Sequence, residues 1–101
     1  MIREVLIDDL KCQLHKATLT RKQRELYSNI RKNAIYDTKD DPIWIYVIPA
    51  GTDQKDLSRV KRQIALEARI TAWETGAVYY QFANEGDAPK AARPRKDNPK
   101  P

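Results

Sequence analysis

The chain is poor in the residues that carry most enzyme and metal chemistry. Its 101 residues include one cysteine and one histidine. A lone Cys12 excludes an internal disulfide, and an unpaired thiol fits a reducing, cytoplasmic compartment. Cys12 and His15 lie one helical turn apart and offer two ligands, whereas zinc takes three or four from a protein. No metal is therefore expected. With His15 the sole imidazole, nothing sets a base beside Ser28, Ser58 or Cys12, so no activated nucleophile can be assembled. Glycine is also scarce, with three in all. Gly51 stands alone after an apolar run, so no glycine-rich loop cradles phosphates and no cofactor is expected. Asp37, Asp40 and Asp41 cluster in one loop. They lack the spaced partners on a following strand that would hold catalytic metal ions, and turn formation is the commoner use of such residues. The chain reads as non-enzymatic.

Long apolar runs are missing as well. None approaches the roughly 18 residues that cross a bilayer. The opening Met1-Ile2-Arg3-Glu4 has no basic-then-apolar pattern of a secretory signal. No internal repeat is visible. A single soluble domain in the cytoplasm is the expectation.

What the chain does have is charge, unevenly placed. Residues 1–88 carry 14 basic and 13 acidic side chains, whereas residues 89–101 carry five basic and one acidic. Most of the net charge of +5 therefore belongs to the C-terminal segment. Four prolines and no apolar residue larger than alanine fall there too. Such a composition cannot offset chain entropy by burial. The expected organisation is an α+β domain over residues 1–83, followed by a disordered, Pro-rich basic tail over 84–101.

Within the domain, residues 2–17 predict a helix. Its apolar stripe is Ile2, Leu6, Leu10, Leu14 and Ala17, with Ile7 beside it, and Glu4, Asp8, Lys11 and His15 on the opposite, solvated face. The Ile- and Val-rich start, 2–7, is also compatible with a strand. Thr20 and Gln23 have capping-box spacing and predict a second helix from Thr20 to about Tyr36, antiparallel to the first. Ile43–Ile48, six β-branched or aromatic residues between prolines, predict a strand buried on both faces. Thr52 or Asp53 caps a third helix, 54–74, which Gly76 ends. Ala77–Ala83 predict a second strand, with Val78, Tyr80 and Phe82 on one face. The order is two helices followed by a parallel β-α-β unit. A two-stranded sheet is marginal alone, so an added strand, pairing with a second copy as a homodimer, or helical cover is required.

Two surfaces suggest binding. The basic sides of the second and third helices carry Arg21, Lys22, Arg24, Arg31, Lys32, Arg59, Lys61, Arg62 and Arg69, and the tail adds Arg93, Arg95 and Lys96. Cations in such numbers suit nucleic-acid phosphates. Tyr27, Tyr36, Trp44, Tyr46, Tyr79 and Tyr80 are available to stack on unpaired bases. The alternative is a protein-binding or inhibitor module of the kind found in phages and mobile elements. It would use an exposed strand edge and a second apolar set on the third helix, Leu66, Ile70 and Trp73, which has hot-spot composition. Trp73 is equally suited to the core. DNA or RNA, or a protein complex that processes them, is the expected partner, with no membrane.

Leu19-Thr20-Arg21-Lys22-Gln23-Arg24-Glu25-Leu26 resembles the opening helix of winged-helix repressor domains, and Trp73-Glu74-Thr75-Gly76-Ala77-Val78 is similar to their step from recognition helix to wing. The chain departs from that pattern between Asp53 and Thr75, where no Gly or Pro divides two helices, and after Ala83, where no returning wing strand follows.

Overall fold

The computed structural model describes residues 2–40, 42–76 and 78–88. The elements follow in the order α1 (Ile2–Ala17), α2 (Arg21–Lys32), β1 (Ile35–Asp37), β2 (Ile43–Ile48), α3 (Gln54–Thr75), β3 (Tyr80–Asn84) and a 3-10 turn (Glu85–Asp87). This is an α+β chain, with the expected helices and strands in order and one strand, β1, added between the second helix and the first expected strand. No described helix is long and apolar enough to cross a membrane. The described residues form two compact units, one from positions 2–28 and 52–78, the other from positions 29–51 and 79–88.

The first unit is helical. Thr20 and Gln23 form the reciprocal capping box at the start of α2: the Gln23 N–H donates to Thr20 Oγ1 at 3.1 Å, and the Thr20 N–H to Gln23 Oε1 at 3.0 Å. Asp53 caps α3 by accepting from the N–H groups of Lys55 and Asp56, and Gly76 closes it at φ 98°, a conformation that favours glycine. Leu19, Leu57, Val60 and Ile64 are the buried apolar residues, with Cys12.

The helix α1 corrects the sequence reading in two ways. Its main partner is α3 and not α2. The two run antiparallel, since Thr18 meets Arg59, His15 and Cys12 meet Gln63, and Asp8 meets Arg69 and Trp73. The face turned to α3 is also the polar one. Asp8 and Cys12 are buried and His15 half-buried, whereas Leu6, Leu10 and Leu14 are 63%, 58% and 59% exposed. The reason lies on α3, which offers α1 the hydrogen-bonding groups of Gln63, Arg69 and Trp73. An apolar stripe therefore did not mark the buried side.

The second unit is built on a three-stranded sheet in the order β1-β2-β3. Here α2 ends four residues before Tyr36, at Lys32, and Ile35–Asp37 become a strand antiparallel to β2, with Tyr36 opposite Trp44. This is the added strand that the two expected ones required. The strands β2 and β3 pair in parallel, as expected, with Trp44 opposite Tyr80 and Tyr46 opposite Phe82. The buried apolar residues are Ile30, Ile35, Ile45 and Ile48. The expected tail begins too early, because Asn84 closes β3 and residues 85–87 form the 3-10 turn. Residues 89–101 lie outside the described residues.

Candidate nucleic-acid interface

Side chains alternate across a strand, so register decides which residues share a face. Along β2, Ile43, Ile45 and Val47 point one way and Trp44, Tyr46 and Ile48 the other. Pairing Ile45 with Ile35 and Gln81 places Ile35, Ile45, Val47 and Ala83 on the first face. Ile35 and Ile45 are 4% and 2% exposed, whereas Gln81, on the same face opposite Ile45, is exposed, so this side is covered along β1 and β2 and open at the β3 edge.

The same register gathers the aromatic residues on the other side. Tyr36, Trp44, Tyr46, Tyr80 and Phe82 all lie on one sheet face. The Tyr36 and Trp44 ring centroids are 4.7 Å apart, tilted by 40°. Tyr46, Tyr80 and Phe82 form a triangle with centroid distances of 5.7 to 5.9 Å. Such spacing is that of offset and edge-to-face aromatic contacts. Tyr36 is 46% and Trp44 40% exposed, while Tyr46, Tyr80 and Phe82 are half-buried. Ile48 is buried at the far end of this face. A strand buried on both faces, as its unbroken apolar run implies, is therefore not what β2 is; one side is an accessible aromatic surface. Tyr79 is exposed just before β3, and its carbonyl accepts the Trp44 N–H at 2.9 Å.

Tyr27 stands apart from this group. Its hydroxyl donates to Glu67 Oε2 at 2.6 Å, and Lys16 Nζ lies 5.8 Å from its ring centroid. Phe82 was not among the residues expected to stack, although its alternation with Tyr80 was readable.

The basic side chains are partly engaged within the chain. Arg21 pairs with Glu25 at 3.6 Å, Lys22 with Asp56 at 3.8 Å, and Arg69 with Asp8 at 3.1 Å. Arg59 donates to the Thr18 carbonyl at 3.3 Å and to its hydroxyl. Arg24, Lys61 and Arg62 are exposed in the helical unit, and Arg31 and Lys32 are exposed on the last turn of α2. Arg93, Arg95 and Lys96 lie outside the described residues. Leu66, Ile70 and Trp73 are half-buried, and Trp73 commits its N–H to Asp8 at 2.7 Å.

Asp37 and His15, two of the groups considered for catalysis, make local hydrogen bonds. Asp37 accepts the Lys39 N–H at 3.0 Å in a turn, and Asp41 lies outside the described residues. His15 is not a solvated terminal histidine. Its Nδ1 is 2.8 Å from Gln63 Oε1, and its Nε2 is enclosed without a hydrogen-bond partner among the described residues. Because Gln63 Nε2 donates to Cys12 Sγ and to Glu67, its Oε1 is the acceptor and the proton sits on His15 Nδ1. Burial, reinforced by the charge of Glu67, pushes the Cys12 thiol above its ordinary value. No group of three or more His, Cys, Asp or Glu side chains that could hold a metal ion is present among the described residues. No family model, curated protein or solved structure matches this chain.

Proposed function

We propose that the protein binds single-stranded nucleic acid, with unpaired bases lying on the aromatic face of the β1-β2-β3 sheet. The observation that carries this reading is the grouping of Tyr36, Trp44, Tyr46, Tyr80 and Phe82 on one face, while Ile35 and Ile45 on the opposite face are buried. Every base has a π-face, so a row of rings accepts a strand with little regard to sequence, at about 1–3 kcal/mol per stacked base. Duplex DNA hides its bases and would engage only the cations. Arg31 and Lys32, together with the basic residues after position 88, supply salt-dependent attraction to phosphates. An accessory role in a complex that handles single strands is the natural setting for a chain of this size and charge.

The alternative reading is a regulator that docks on a partner protein through α3. It draws on Leu66, Ile70 and Trp73, but these are half-buried and the Trp73 N–H is already bonded. The sheet is the better-supported surface.

Fluorescence anisotropy with labelled single-stranded and duplex DNA and RNA, at about 50 and 200 mM salt, tests the proposal. Single strands should bind more tightly than duplex, and the variant Trp44→Ala should lose most of that preference. Equal affinity for both forms, unchanged by Trp44→Ala, would reduce the activity to simple polycation attraction and overturn the stacking model.

A further inference from the structure

The outward face of α1 carries Leu6, Ile7, Leu10 and Leu14, exposed by 63%, 45%, 58% and 59%. The other large exposed apolar residues, among those described, are the aromatic Tyr36, Trp44 and Tyr79 of the sheet unit. We infer that this stripe is a self-association surface, on which two copies of the chain pair through antiparallel α1 helices. The inference is independent of the nucleic-acid reading.

Spacing identifies the occupant as a helix. Leu6, Leu10 and Leu14, with Ile7 beside them, recur at intervals of three and four, the pattern by which two helices interlock side chains along a seam centred on Leu10. Helix α1 is already held on its inner face through Asp8, Cys12 and His15. Docking therefore does not have to drive its folding, which isolated helices of this length require.

Charge and area identify the helix as a second copy. The exposed charges of α1 are Arg3, Glu4 and Asp9 in its first half and Lys11 and Lys16 in its second. Turning one copy end for end lays the acid-bearing half on the basic half of the other, twice, by the same symmetry operation. It also opposes the two helix dipoles and sets Arg3 beside the carbonyl end of the neighbouring helix, where a cation is favoured. A parallel pair would place Lys11 and Lys16 against their own copies. The four side chains expose an apolar area on the order of 400 Å², a size that marks contact sites on soluble proteins. Counted on both copies this is about 800 Å², below the roughly 1,200 Å² at which stable specific interfaces begin, so the pair is a weak one. A dimer in the micromolar range is the expected strength.

Sedimentation equilibrium of the full chain without nucleic acid, from about 1 to 500 µM, tests this. The wild type should pass from monomer to dimer across that range. Leu10→Glu, which sets two carboxylates across the two-fold axis, should weaken association by at least about a hundredfold. Its melting temperature should be unchanged, because Leu10 is 58% exposed. Orientation is read by mixing chains carrying Leu6→Cys with tagged chains carrying Leu14→Cys, where a mixed disulfide is expected. A wild type that stays monomeric at the highest concentration, a dimer that survives Leu10→Glu, or a Leu6→Cys chain that links only to itself would each overturn the inference. So would a monomer that floats with phosphatidylserine vesicles, which would assign the stripe to a lipid surface.

Discussion

The indole N–H of Trp73 and the Nε–H of Arg69 converge on one oxygen, Asp8 Oδ2, at 2.7 and 3.1 Å. Two donors from α3 thus hold a buried carboxylate of α1. They explain why the largest side chain of α3 belongs to the helix pair and why α1 turns a charged residue inward. The Trp73 hydrogen bond comes first in holding the Asp8 carboxyl below its ordinary value of 3.8; burial opposes it, and Arg69 and Lys11 assist.

A lowered pKa means that the folded state prefers the carboxylate. Its contribution to stability is therefore present above the ordinary value and is lost as pH falls through the lower, folded-state value. Asp8→Asn should melt at a lower temperature than wild type at pH 7. The difference should shrink as the pH is taken below 3.8. A gap that stays constant under acid would mean that the carboxylate charge contributes nothing.

Gln63 is fully enclosed and serves Cys12, His15 and Glu67 at once. Gln63→Leu keeps the bulk but strands the Nδ1–H of His15. An unpartnered buried donor costs about 1–3 kcal/mol. Thermal denaturation should show a loss of roughly 4–8 °C per kcal/mol for a domain of this size. A variant as stable as wild type would show that the network is dispensable.

Cys12 should behave as an inert thiol. It is 7% exposed, and burial raises its pKa, so little thiolate is available to react. Ellman's reagent at pH 8 should modify the native protein at least about a hundredfold more slowly than the protein in guanidinium chloride. Rapid native labelling would show that α1 opens readily from α3.

Trp44→Ala and Tyr36→Ala remove exposed rings and should leave the fold intact. Each should weaken single-strand binding by about 5- to 100-fold, the range expected for the loss of one stacked base. Replacing Lys32 should instead lower affinity for all sequences alike and flatten the salt dependence by about 0.7 units of log–log slope, the value for one phosphate of a single strand. Circular dichroism of each variant checks that affinity and not folding has changed.

Local chemistry was readable where it acts over a few residues. The capping box of Thr20 and Gln23, the Asp53 cap and the Gly76 terminus all depend on neighbours in sequence, and the structure has each of them. Features set by distant partners were not readable in the same way. Tyr36 looked helical from its 3.6-residue pattern, yet pairing with Trp44 draws it into a strand. The Leu6–Leu10–Leu14 stripe looked like core because the polar groups that claim the other face come from residues 63, 69 and 73. The aromatic face of the sheet needed the Tyr36–Trp44–Tyr80 register, which no single strand encodes. All of its rings except Phe82 were visible as stacking candidates; their arrangement on one face was not.

The β2–β3 pairing has a temporal consequence. The residues of β2 from Trp44 to Ile48 find their β3 partners 36 positions later, from Trp44 with Tyr80 to Ile48 with Asn84. At about 5–20 residues per second, a ribosome takes roughly 2–7 seconds to cover that distance. Through that interval Ile43–Ile48 is a newly made apolar strand with one edge unclaimed. An unclaimed strand edge is a template for pairing with another chain, so early winding of α3 and arrival of β3 close a window for misassembly.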